Sequence, residues 1–206
     1  MKRTSKTIQY VVAGIFVVIG MLFPAAALAA DGQYGEGDYG ACTYNTCGIT
    51  VSSSGTVNLT IIPGSSATCT TQKDSVVVTT DASTGYNLSM NNAATTSSLL
   101  NGGSSIATTS GTQANPIALT ANTWGYRIDG LAGFGVGPTA ASSNTAASAT
   151  SFAGIPTSAQ PAATLAATTV AAGSGETTSV WYGACANTTL PAGTYTSTII
   201  YTAVVN

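Results

Sequence analysis

Short runs in which apolar and polar residues alternate at every second position recur along the chain. At 57–62, Val57, Leu59 and Ile61 fall on one face, with Asn58 and Thr60 on the other. At 85–91, Tyr86, Leu88 and Met90 alternate with Asn87, Ser89 and Asn91. The longest run is the last: Tyr195, Ile199, Tyr201, Ala203 and Val205 share one face, against Thr194, Thr196, Thr198 and Thr202. A period of two predicts half-buried β-strands. Further strands are expected near 48–52, 75–80, 116–119, 123–128 and 177–183. Turn signals separate them at Ser54-Gly55, Pro63-Gly64, Thr84-Gly85, Asn101-Gly102-Gly103, Gly173 to Gly175 and Pro191-Ala192-Gly193.

Composition supports the same reading. Charged residues make up 6% of the chain, too few for the solvent faces of soluble helices. Threonine-rich faces suit strands. The expected fold is all-β, an antiparallel Ig-like β-sandwich with a barrel as runner-up. Two segments break the pattern. Residues 31–41 (DGQYGEGDYGA) read as a Gly- and Tyr-rich lead-in, extended here over 30–47. Residues 137–163, rich in Ala, Ser, Thr and Pro, read as a long low-complexity surface excursion that contributes an edge strand. Their composition also suits O-glycosylation. The domain proper is then 48–206.

The N-terminus changes the picture of where the chain works. Lys2, Arg3 and Lys6 precede an apolar stretch from Ile8 to about Phe23, which Pro24 breaks before Ala27-Leu28-Ala29. That is the layout of a secretory signal (1–29) cleaved before Ala30. An uncleaved anchor is the rival, since roughly 20 apolar residues span a bilayer. The remaining chain keeps Lys73 and Arg127 as its strong bases against seven acids, a net charge of 2 − 7 = −5. Nucleic-acid binding needs clustered Lys and Arg and is excluded as an expectation.

Cys42, Cys47, Cys69 and Cys185 form an even set in an exported chain and read as two disulfides. Of the three connectivities, a local Cys42–Cys47 loop with a long-range Cys69–Cys185 staple is the one expected. The chain has no histidine and no paired C-x-x-C spacing, so zinc is set aside.

The same missing histidine rules out Ser-His-Asp and Cys-His arrangements. Asp74, Asp81, Asp129 and Glu176 fall at expected strand ends and turns, where acids cap or solubilise. No catalytic residue, cofactor or metal is therefore assigned. Asp31, Glu36 and Asp38 offer oxygen ligands for calcium, but not at EF-hand spacing. A Lys–Asn crosslink at Lys73 is weighed against a plain turn, and its neighbours Gln72 and Asp74 read as the turn. Trp124, Tyr126, Trp181 and Tyr182 lie on two expected strands. Core packing is their first reading; facing solvent together, they would form a sugar-stacking platform. Sequons stand at Asn58, Asn87 and Asn187.

The runs VVVTTDASTGYNLSM (76–90), TWGYRID (123–129), SFAGIPTSAQP (151–161), SVWYGACAN (179–187) and PAGTYTSTIIYTAVVN (191–206) together resemble small exported proteins of Saccharibacteria and related ultrasmall bacteria. More distantly the layout is similar to WxL-type surface domains and to fimbrial subunits ending in a Gly-x-Tyr strand. The resemblance implies a surface β-sandwich without enzymatic activity and transfers no site residues. Neither an LPxTG-type sorting signal nor a C-terminal membrane segment is found, so non-covalent attachment, attachment through assembly, or none is expected. The expected function is a secreted or cell-surface structural or adhesive protein. The alternatives are a carbohydrate-binding module and a polymerising, pilin-like subunit. Expected partners are a cell-envelope component, a host-cell surface or a glycan, or further copies of the chain.

Overall fold

The computed structural model describes residues 48–146, 150–168, 173 and 175–206. The expected signal peptide (1–29), the lead-in (30–47) and the Cys42–Cys47 loop lie outside the described residues. Among the described residues the chain forms twelve strands: β1 (Ile49–Ser53), β2 (Thr68–Thr80), β3 (Tyr86–Asn92), β4 (Leu99–Asn101), β5 (Ser104–Thr108), β6 (Ile117–Ala118), β7 (Thr123–Arg127), β8 (Ser142–Ala146), β9 (Ser151–Phe152), β10 (Ala163–Thr168), β11 (Glu176–Ala186) and β12 (Ile199–Val205). The one helical turn among the described residues is a 3-10 turn at Ala132–Phe134.

The protein is all-β, as its alternation predicts. The larger sheet is curled into a half-barrel, in the order β1-β2-β11-β7-β5-β4, with β8 also pairing to β2. It is mixed rather than purely antiparallel, because β5 runs parallel to β7. A smaller sheet, β10-β3-β12, is antiparallel throughout. The two share one core. Val76 and Val78 of β2, Trp124 and Tyr126 of β7, and Val180 and Tyr182 of β11 pack against Tyr86, Leu88 and Met90 of β3 and Leu165 of β10. Each set occupies alternate positions of its strand, so one face of each sheet supplies the core.

Three differences from the sequence reading have physical causes. Residues 57–62 alternate as expected, and Val57, Leu59 and Ile61 pack on the core, yet they belong to no strand. Side chains take the place of a ladder partner there: the Thr70 hydroxyl donates to the Thr60 carbonyl, the Thr68 hydroxyl to that of Ile62, and the Ile62 N–H donates to Asn144. The neighbouring length of β2 is paired with β8 instead. Second, the 137–163 segment is not a surface excursion throughout. β8 is the edge strand within it, whereas Phe152, Ala153 and Ile155 are buried. Third, Lys73 and Asp74 lie in the middle of β2, not in a turn or at a strand end.

Candidate functional site

The outer face of the large sheet is the most elaborated part of the molecule. β2, β11 and β7 lie side by side there, and their register fixes three rows across the face. Lys73, Trp181 and Arg127 form one row; Thr71, Gly183 and Gly125 form the next; Cys69, Cys185 and Thr123 form the third. In the third row Cys69 and Cys185 are directly opposed and bonded as a disulfide, with Cα atoms 4.0 Å apart.

Phe152 and Leu119 pack over this bridge. The two glycines of the middle row allow that close approach. A Cβ on Gly183 would come within 2.7 Å of the Phe152 ring, and one on Gly125 within 2.5 Å of the Ala153 carbonyl oxygen. Ala153 completes the seat by exchanging backbone hydrogen bonds with Tyr126, 2.8 and 2.9 Å long. The strand pair β6–β9 thus forms a third layer over part of the sheet, and the bridge is buried beneath it.

At the end of the first row, Arg127 is buried and clasps the loop that follows β7. Its Nε donates to Asp129 Oδ1 (2.8 Å) and to the Thr139 hydroxyl (2.6 Å), and its Nη1 to the Phe134 carbonyl. Burial pushes the Asp129 carboxyl up, but the Thr139 hydroxyl and N–H, together with Arg127, outweigh it and hold the group below its ordinary value. Trp181 is half-buried on the outer face, with Lys73 Nζ 6.0 Å from its ring centroid.

The other three aromatic candidates face the core. Trp124 is 3% exposed, Tyr126 1% and Tyr182 5%. Alternation places 124 and 126 on the same side of β7, and Tyr126 is in register with Tyr182, so all three point inward. A four-residue stacking platform is therefore not formed. Trp124 and Tyr182 instead stack on each other at 6.4 Å, and the Trp124 Nε1 donates to the Ser97 carbonyl.

Asp74 reaches into the same core at 3% exposure. Its Oδ1 accepts from the Ser54 N–H (2.9 Å) and hydroxyl (2.6 Å), and its Oδ2 from the Tyr201 hydroxyl (2.9 Å). The Tyr201 and Tyr182 hydroxyls are 2.7 Å apart. This chain of polar groups ties β2 and β11 of one sheet to β12 of the other. Burial, then the neighbouring Tyr182 and Asp74, raise the Tyr201 hydroxyl far above its ordinary value. Burial raises Tyr126 and Tyr182 in the same sense. Tyr86 is pushed up to about 12 by burial and then by Glu176. Its hydroxyl has no hydrogen-bond partner of good geometry, although Glu176 lies near enough to act on it electrostatically.

The remaining acids stand apart. Asp81 accepts the Gly48 N–H at 2.7 Å, and Glu176 opens β11 on the surface. A shallow depression of ≈ 420 Å³ beside Leu131, Leu165 and Ser179 contains one carboxylate, Asp129, already held by Arg127 and Thr139. Among the described residues no group of His, Cys, Asp and Glu could hold a metal ion. No helix among them is long and apolar enough to cross a membrane. Asp31, Glu36 and Asp38 lie outside the described residues. Of the sequons, Asn58 is exposed on the unpaired 57–62 segment, Asn87 lies in the middle strand of the small sheet, and Asn187 is hydrogen-bonded to Asn122 and Thr189.

One surface row escaped the sequence reading. Ile200 and Val204 of β12 are 45% and 56% exposed, on either side of the exposed Thr202. The signal was present: they are the two apolar exceptions on an otherwise threonine face. Set against known protein families, curated proteins and solved structures, the chain matches none.

Proposed function

We propose that this chain is an exported structural or adhesive module of the cell surface, with no catalytic step. The Cys69–Cys185 bridge carries the reading. It joins the two longest strands in register and lies under a dedicated cover, and such bridges persist in oxidising compartments. The basic, apolar and A-x-A sequence of residues 1–29 supports the same route out of the cell. A core with its own internal polar bridge, under a glycine-seated third layer, suits a module that must hold its shape where refolding is not assisted.

Surface proteolysis of intact cells, combined with intact-mass analysis, tests this. The expected result is a protease-accessible chain starting at Ala30 with its cysteines oxidised. Recovery of a reduced chain starting at Met1 inside the cell would overturn it.

A second reading, carbohydrate binding, is favoured by one observation: Trp181 faces outward beside Lys73. A glycan array probed with the wild-type protein and Trp181→Ala tests it. Binding that disappears in the variant supports the reading, and an array without signal ends it.

A further inference from the structure

The large sheet has a gap just beyond the Arg127 clasp. β7 ends at Arg127, opposite Trp181, while β11 extends back to Glu176. Tyr126 turns its N–H and C=O to Ala153, so Gly125 and Arg127 turn theirs to β11. Carried along β11, the same alternation turns those of Thr177 and Ser179 to the side that β7 has left. Neither residue has a backbone partner there among the described residues, and neither hydroxyl has a partner among them. β10 does not fill the place: it pairs with β3 alone, and its register shifts between Thr164 and Ala166. Thr177 and Ser179 open instead onto the depression of ≈ 420 Å³, which Leu131 and Leu165 also line.

The chemistry of the depression selects the ligand. Its one carboxylate, Asp129, is matched by the Arg127 guanidinium 2.8 Å away, so the pair calls for neither a cation nor an anion. Asp129 is still 25% exposed, and its Oδ2 accepts the Thr139 N–H at 2.7 Å, which leaves acceptor capacity for a hydroxyl donor. Thr177 and Ser179 add backbone and hydroxyl groups, and Leu131 and Leu165 add apolar surface. A purely apolar ligand would strand those polar groups, at about 1–3 kcal/mol each. An extended peptide would find bonds from two residues only, against the roughly five or six residues of a common strand. A neutral sugar ring suits the whole set, with hydroxyls at its rim and C–H groups on its faces. Trp181 is placed for the next ring: it stands two residues from Ser179 on the same face of β11, roughly 7 Å along the strand. We propose that the depression and Trp181 together bind a neutral glycan, one ring against Leu131, Leu165 and the Thr177–Ser179 edge, the next stacked on Trp181. This rests on the carbohydrate reading of Trp181 and extends it to a second contact and to a charge class.

The full exported chain is titrated with neutral hexasaccharides of glucose, mannose and N-acetylglucosamine and followed by amide NMR. An oligogalacturonate and an uncharged extended hexapeptide serve as controls. One of the neutral glycans is expected to shift the Thr177 and Ser179 amides and the Trp181 indole together, in one saturable step. Ser179→Phe, which fills the depression, is expected to weaken binding at least about tenfold, because hydrogen bonds there go unmade. Thr177→Tyr, from an exposed position, should act in the same direction. Trp181→Ala should weaken binding about three- to tenfold through lost stacking, while shifts at Thr177 and Ser179 remain. Thr202→Phe, on the outer face of the other sheet, should leave binding unchanged. Binding that needs Trp181 but leaves the Thr177 and Ser179 amides unmoved overturns the inference and keeps the carbohydrate reading. Shifts at the depression that are indifferent to Trp181→Ala overturn the shared site. Preference for the oligogalacturonate or the peptide overturns the neutral-glycan assignment. No binding to any neutral glycan overturns it as well, and an array without signal would then end the carbohydrate reading too.

Discussion

Two outer sheet faces of this molecule obey the same alternation and end differently. On the large sheet, Gly125 and Gly183 leave two neighbouring positions of one row without side chains, so Phe152 and Ala153 settle directly on the backbone and seal the Cys69–Cys185 bridge. On the small sheet, the row through Ile200, Thr202 and Val204 keeps its side chains and stays bare. Glycine converts one face into an interior. Apolar residues without a cover leave the other as a surface with unused contact area. Stability is thus concentrated under the first face.

The largest effect is expected from removing what the covered face protects. Cys69→Ala with Cys185→Ala frees a loop with a sequence separation of 116. It should cost on the order of 5 kcal/mol in the loop-entropy picture, read from urea unfolding. In the wild type the buried bridge should resist mild reductant until the protein unfolds, as thiol trapping would show. Phe152→Ala removes the cover and should cost about 4 kcal/mol, while making the bridge reducible in the folded state. Gly125→Ala forces a methyl against the Ala153 carbonyl and should cost about 2–3 kcal/mol. If all three variants melt like the wild type, the contrast between the faces is wrong.

A smaller effect concerns the link between the layers. Tyr201→Phe leaves Asp74 with one donor fewer and should cost about 1–3 kcal/mol at neutral pH, by the same urea titration. The buried tyrosines also set an alkaline limit. Their hydroxyls ionise at higher pH in the folded protein than in the unfolded chain, so the folded state retains protons that the unfolded state releases. Their contribution is complete below pH ~10 and is lost as pH rises through the raised values. The urea midpoint should fall steadily above that pH, and less steeply in Tyr201→Phe. The smallest change is expected on the bare face: Thr202→Lys should alter stability by no more than about 0.5 kcal/mol by the same urea titration.

Where alternation reports burial, it reads well in the sequence. Tyr86, Leu88 and Met90 all lie in the core as spaced, and β3, β7 and β11 fall within a residue or a few of their expected limits. Local signals fail where distant partners decide. Lys73 and Asp74 look like a turn because two charges interrupt a polar stretch. They sit mid-strand because Lys73 lies along Trp181, and because Asp74 is satisfied by Ser54 and Tyr201, 20 and 127 residues away. Residues 151–155 look like a low-complexity surface because their burial depends on glycines in β7 and β11. The 57–62 segment shows the reverse case: its alternation correctly reports packing, but packing alone does not supply a ladder.

The pairing of β2 with β11 also sets the order of events in time. These strands are the longest among the described residues, and Cys69 meets Cys185 across a separation of 116 residues. As a chain emerges at roughly 5–20 residues per second, β2 waits several seconds before its main partner exists. Contacts of such long range slow folding, because loop closure precedes any gain from pairing. β2 and Cys69 therefore stay without their native partners until most of the chain is available. Under the export route proposed above, such a delay would suit passage through a narrow channel, because the longest pairing of the fold forms only after most of the chain is available.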